Sequence, residues 1–304
     1  MTFLALLAAL VIEQFRPLDP ERFIRTPAEM AGGWLEQQAN AGTYRHGVIA
    51  WVLAVGVVLG MVAIVYGILC AMHPVLAWLL NVVILYWAMG FRQVSHYFTG
   101  IQKALAEGRL DDARLQLANW RNERTERMSS QDVTGLAIES ALVASHRQVF
   151  AVMLCFVLLP GPLGAVLYRL AEQLARVWRP SGESAFGNFA QEAFRIIDWL
   201  PQRVTAFGFA VVGDFEDAVH CWRTQAETWG DAAGGVVLAA GAGALGVQLG
   251  APINDGIEVV ERPVLGLGDD PGIESLQATV GLVWRALVFW MVILLALSVA
   301  GAAG

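Results

Sequence analysis

The sequence predicts an all-α fold, a polytopic helical membrane protein with three or four transmembrane helices, and three observations carry that reading. Of the 304 residues, 56% are apolar and only 15% are charged, against about 45–50% and about 25% in an ordinary soluble domain. The mean hydropathy is +0.53. Apolar runs long enough to cross about 30 Å of hydrocarbon at about 1.5 Å per residue stand at 47–72 and again at 281–304. This composition excludes a disordered chain, a collagen and a disulfide scaffold. Basic residues are 19 Arg and the single Lys103, and the net charge is −7, so no nucleic-acid partner is expected. Cys70, Cys155 and Cys221 lie far apart with no CxxC pair, which argues against a disulfide framework or a zinc site.

Residues 2–12, TFLALLAALVI, are apolar but too short to span. No basic segment precedes them and no A-x-A site follows, so a retained half-span or interfacial helix is expected in place of a signal peptide. Residues 14–46 are polar and partly helical. The uncharged run 47–72 predicts a transmembrane helix, His73-Pro74 a tight turn, and 74–91 a second span returning across the membrane. Residues 92–147 hold eight basic residues and read as soluble helices. Ile101, Leu105, Leu110, Ala113, Leu117 and Trp120 recur at helical spacing, Gly108 breaks the pattern, and Ser129 or Ser130 caps a further helix through Glu139.

Residues 149–170 are long enough to span, but Pro160-Gly161-Pro162 sits at their centre. Either a kinked helix crosses there or two half-helices re-enter. Residues 171–203 read as amphipathic. Residues 232–253, rich in Gly and Ala, read as closely packed small-residue helix. Residues 254–280 form an acidic loop, and 281–301 the last span. By the positive-inside rule 92–147 is cytoplasmic. Residues 204–304 carry 3 basic and 11 acidic residues, which favours the opposite face, whereas the five Arg in 169–203 favour the cytoplasm. The side taken by 171–280 stays open between these. The chain reads as a single membrane domain over 1–304, lodged in a bacterial inner membrane with the lipid bilayer as its first partner.

Several stretches carry a family resemblance: Asp112-Ala113-Arg114, Arg121-Asn122, Ala137-Ile138-Glu139-Ser140, Leu159-Pro160-Gly161-Pro162-Leu163-Gly164-Ala165, Pro201-Gln202-Arg203, and Ala242-Gly243-Ala244-Leu245-Gly246-Val247-Gln248-Leu249-Gly250. In this order they resemble the CobD/CbiB superfamily of integral membrane proteins. Its best-known members are adenosylcobinamide-phosphate synthases, which join adenosylcobyric acid to an aminopropanol or its phosphate in vitamin B12 assembly. Synthases of that family read ES-x-x-EN-x-x-DG. Here Glu139 and Ser140 stand, but Val143-Ala144 and Arg147-Gln148 replace the later pairs, and Phe194-Arg195 replaces a pair of aspartates. Hard cations want several oxygen ligands, and these replacements remove them. Ile12-Glu13, the helix through Arg92 and His96, and Asp198-Trp199-Leu200-Pro201-Gln202-Arg203 are similar to a second branch, the AmpE-like regulatory proteins. The resemblance therefore implies a non-catalytic regulatory or sensory protein, without metal or cofactor, with a protein partner on its cytoplasmic helices. The alternative is a divergent synthase assisted by Mg²⁺, with Glu139 as the surviving carboxylate and Arg121 and Arg203 clamping phosphate.

The candidate ligand-binding residues are His96, Arg121, Glu139, Ser140, His146, Asp198 and Arg203. Glu139 and His146, two turns apart, face one side of a helix as a residual polar site, or flank a span as a solvated helix end with Arg147 at the interface. Asp198 and Arg203 bracket Pro201 as an elbow for a ligand, or as a capped turn in which Pro201 opens a helix. Residues 241–250 approach a phosphate through their backbone, or simply pack closely; they lack the Lys and Ser/Thr of a P-loop. His96 is a site residue or an ordinary surface histidine. No Ser/His/Asp triad or HExxH appears, and no paired carboxylates survive at the positions where that family has them.

Overall fold

The computed structural model describes residues 2–15, 26–40, 42–178, 185–230, 232–254 and 259–303. Among them the regular structure is helical apart from one antiparallel pair of two-residue strands, and the chain divides into two units. Three helices, Tyr44–Met72, Ser130–Leu158 and Ile273–Gly301, are long and apolar enough to cross a membrane.

The first unit comprises residues 1–90 and 151–201. Helix α1 (Thr2–Phe15) packs on α4 (Pro74–Ala88) and buries Ala5, Leu6 and Ala9. Between them in the chain come α2 (Thr26–Ala39) and the long α3 (Tyr44–Met72). Only 11% of the most apolar window of α3 is buried, as suits a helix whose sides meet lipid. His73 ends α3 and starts α4: its Nδ1 accepts a hydrogen bond from the Val75 amide (3.2 Å), with Pro74 where a missing N–H costs nothing.

Residues 149–170 do not make one helix. Helix α8 (Ala151–Leu158) stops at the turn through Pro160 and Gly161, whose φ is +63°, and α9 (Leu163–Val177) packs back along it. The two approach so closely that a Cβ on Gly164 would lie 1.8 Å from the Cys155 carbonyl oxygen. Of the two expected geometries this is the helical hairpin. Behind α9, the buried Trp178 donates its Nε1–H to the Gly32 carbonyl (2.9 Å) and packs on Phe186. Helix α10 (Asn188–Val212) contains Pro201 in its interior. The expectation that Pro201 opens a helix is corrected: the amphipathic pattern continues on both sides of it. Pro leaves the Ile197 carbonyl without its usual helix donor.

The second unit comprises residues 91–150 and 202–304. Helices α5 (Phe91–Ala106) and α6 (Leu110–Arg121) form a hairpin turning at Gly108, φ +72°. Helix α7 (Ser130–Ser145) starts at a full capping box, in which Ser129 and Asp132 each bond the other's amide. It runs through one π-helical turn (His146–Phe150) into α8, so that the long apolar helix begins at Ser130. The stretch 130–147, grouped in the sequence with the soluble helices, thus opens a span-length helix. Its appearance has a physical cause: 61% of its most apolar window is covered by protein. Helix α12 (Ala232–Leu245) lies between α11 (Phe215–Gln225) and α7. A Cβ on Gly243 would meet the Asp217 carbonyl at 2.5 Å, and one on Gly241 the Leu142 side chain at 2.7 Å. Close packing is therefore what the small residues of 232–245 provide. The chain then leaves the helix at Gly246 and forms a strap, with strands β1 (Ile253–Asn254) and β2 (Val259–Val260), before α13 (Ile273–Ala303).

Candidate functional site

Glu139 sits two turns past Asp132 on α7, with its side chain 4% exposed. A buried carboxylate needs partners, and the strap supplies them. The Gly250 amide donates to Oε1 (3.0 Å), and Arg262 donates from Nη1 to Oε2 (2.8 Å) and from Nη2 to Oε1 (3.1 Å). This is the two-point pairing for which a planar guanidinium is suited. Arg262 is itself fixed: Nε and Nη2 also reach the Ala251 carbonyl (3.2 and 3.0 Å), and the guanidinium lies 5.6 Å from the Trp229 ring centroid.

The strap is built to bring these groups together. Leu249 and Leu265 exchange backbone hydrogen bonds (2.7 and 2.9 Å), Gln248 N–H bonds the Asp269 carbonyl (2.9 Å), and Gln225 holds the Gly266 amide (2.6 Å). Gly250, φ +79°, passes where a Cβ would lie 2.1 Å from the Pro263 carbonyl oxygen. Beside the ion pair lies a cavity of about 310 Å³, lined among others by Gln131, Asp132, Glu139, Gln248, Arg262 and Asp270. That is the lower end of the size of small-molecule sites, about 300–1,000 Å³. Carboxylates, amides and one guanidinium face it, so it suits a small, strongly polar ligand.

The structure separates the other candidates. Ser140 and Arg121 meet each other: Arg121 Nη1 donates to Ser140 Oγ (3.0 Å), and the same guanidinium bonds Glu123 (2.8 and 3.1 Å). His146 is buried at the π-helical turn, its Nδ1 2.9 Å from Thr205 Oγ1. Asp198, fully buried in α10, accepts from the Tyr168 hydroxyl (3.0 Å). Arg203 follows on α10, where burial lowers its pKa. His96 is exposed on α5, its ring edge-on to Tyr97. Neither Arg121 nor Arg203 is among the described residues lining the Glu139 cavity; the arginine there is Arg262. Arg121 is instead hydrogen-bonded to Glu123 and Ser140.

Arg262 escaped sequence reasoning, as did Asp132, Gln248 and Asp270. One signal was present: Arg262 is the lone basic residue between Arg223 and Arg285. Such a charge in an acidic loop invites a search for a distant carboxylate. In the stretch 241–250 the small residues pack closely up to Leu245, and the Gly250 backbone amide donates to Glu139.

Comparison with known proteins bears on the function. The family model for the CobD/Cbib protein matches residues 2–283. A cobalamin biosynthesis protein CobD of Stutzerimonas stutzeri (strain A1501) is 36% identical over 268 residues, 86% of each chain. One of Chromobacterium violaceum is 37% identical over 228 residues, 74% of this chain and 73% of its own. A cobalamin biosynthesis protein CbiB of Salmonella typhimurium (strain LT2) is 22% identical over 265 residues, 82% of this chain and 81% of its own. No solved structure matches. The regulatory, AmpE-like reading is overturned by these relatives, which are named for cobalamin biosynthesis. Its physical premise also fails in part. The replaced positions do lose oxygen ligands, but a polar cavity stands beside Glu139, furnished from Asp132, Gln248, Arg262 and Asp270. Two of the stretches that carry the resemblance, around Glu139 and around Gly250, meet in one hydrogen bond, and the chain belongs to the CobD/Cbib family.

Proposed function

We propose that this chain is a multi-pass inner-membrane enzyme of cobalamin biosynthesis of the adenosylcobinamide-phosphate synthase type. It would form the amide between a carboxyl of adenosylcobyric acid and the amine of an aminopropanol or its phosphate. The observation that carries the reading is the polar cavity at Glu139, where two of the stretches that carry the family resemblance converge. The names of the relatives support the pathway. The charge of residues 92–129 supports a cytoplasmic position for α5 and α6.

In this reading the cavity wall of Asp132, Asp270 and Gln248 receives polar groups of the smaller substrate, and Glu139 presents a fixed carboxylate edge to it. Arg262 holds that edge in place. The alternative reading included Mg²⁺, and the donor set does not fit a preformed site. Both Glu139 oxygens are engaged by Arg262 and Gly250, and the described residues contain no group of three His, Cys, Asp or Glu placed to hold a metal ion. No step is routed through it. The test is restoration of cobalamin synthesis in a bacterial strain lacking its own synthase, by this chain and by its Glu139→Ala variant. Growth with the first and not the second is expected; no growth with either, at normal membrane levels, contradicts the reading.

A further inference from the structure

We propose that Arg262 is a positioning residue, which docks strap residues 249–251 and 262–265 onto α7 through Glu139 and thereby fixes the carboxylate at the cavity wall. The inference rests on the synthase reading for its link to catalysis, but its structural part stands alone.

The argument is one of bonds and placement. The outgoing limb of the strap reaches α7 through the Gly250 amide, which donates to Glu139 Oε1. The returning limb carries Arg262, which reaches the same carboxylate at both oxygens. Arg262 also reaches across to Ala251 on the outgoing limb, and so ties the two limbs and the helix at one point. Four N–H contacts of the guanidinium are given to Ala251 and Glu139, and its flat face to Trp229. A guanidinium so committed is a clamp, with little left to receive a ligand. Glu139 is the group acted upon: without Arg262 it keeps one amide donor, and its side chain is free to turn within the cavity. Displacing a reacting or orienting group by about 1 Å costs on the order of 100-fold in rate.

The experiment uses the full chain in lipid nanodiscs and reads two quantities: amide hydrogen exchange across 249–265, and kcat and KM for the amine in amide formation. Arg262→Gln is expected to speed exchange across the strap about 10-fold or more while α5 and α6 keep their protection. It lowers kcat about 10- to 100-fold with KM for the amine changed less. Arg262→Lys restores part of both. Unchanged strap exchange in Arg262→Gln, or an unchanged kcat in a protein that does form the amide, overturns the proposal. If the unmutated protein forms no amide but its strap responds as stated, the synthase reading fails and the docking role of Arg262 stands.

Discussion

Arg262 and Glu139, 123 positions apart in sequence, meet in a two-point ion pair with N–O distances of 2.8 and 3.1 Å. Their side chains are 16% and 4% exposed. Removing one partner of a buried pair leaves the other charge without compensation, at a cost of about 3–5 kcal/mol. Glu139→Ala and Arg262→Ala are each expected to destabilise the protein by about 3 kcal/mol. The double variant should cost clearly less than the two losses added together, since it strands neither charge. Denaturant unfolding in mild detergent, run as a double-mutant cycle, checks this; simple additivity would mean that the pair is not coupled.

Gly250 and Gly246 both adopt positive φ, +79° and +65°, but differ in their surroundings. A Cβ at Gly250 strikes the Pro263 carbonyl oxygen at 2.1 Å, whereas one at Gly246 meets open space. Gly246→Ala carries the backbone cost alone, about 1–2 kcal/mol. Gly250→Ala must also push the strap limbs apart, so it should cost more and weaken the Glu139 contact. Comparing the two variants' unfolding midpoints and strap hydrogen exchange decides the point; equal losses would remove the steric argument.

The turn at Pro160-Gly161-Pro162 works only because α9 can lie against α8. Gly164→Val places methyl groups where even a Cβ would lie 1.8 Å from the Cys155 carbonyl. The hairpin must open, and a loss of about 3 kcal/mol or more is expected, at the upper end of overpacking. The readout is the yield of folded protein extracted in mild detergent, with Gly161→Asn as a milder comparison. Asn is tolerated at positive φ, but its side chain would still press on Tyr66.

Burial, and after it the Asp217 carboxylate, push the pKa of the fully buried Cys221 thiol up. A raised pKa means less thiolate at any pH below it, and thiolate is the form that reacts. Alkylation of Cys221 in the native protein at pH 8 should be at least about 10-fold slower than after unfolding. Its rate should go on rising at pH values where an exposed thiol has levelled off. Mass spectrometry of the iodoacetamide-modified peptide measures both; native labelling at the unfolded rate would show that α11 does not shield this thiol.

The membrane character of the fold was legible because hydropathy over 47–72 and 281–301 needs no tertiary context. The start of the middle helix at Ser130 was not. Glu139 and Asp132 make it look soluble, and only the strap and α12 show how that polarity is covered. The Pro-Gly-Pro turn could be read as a crossing or a reversal, since the choice depends on the Gly164–Cys155 approach, which is a contact and not a pattern. Glu139 and the backbone at Gly250 could be named from motif spacing. Arg262 could not, because a lone arginine in an irregular loop has no periodicity, and its partner lies on a helix 123 residues earlier. Loss of the expected oxygen ligands pointed away from a polar cavity at Glu139. It did so because the carboxylates of Asp132 and Asp270, which lie outside that motif, reach the same cavity only through the fold.

Amide formation by the purified protein in nanodiscs, given adenosylcobyric acid with aminopropanol and separately with its phosphate, tests the central claim most directly. The expected result is a product of the amide's mass with at least one of the two amines from the unmutated protein, and little or none from Glu139→Ala. The contradicting result is no product with either amine from a protein whose strap 249–265 is protected from exchange, and therefore folded.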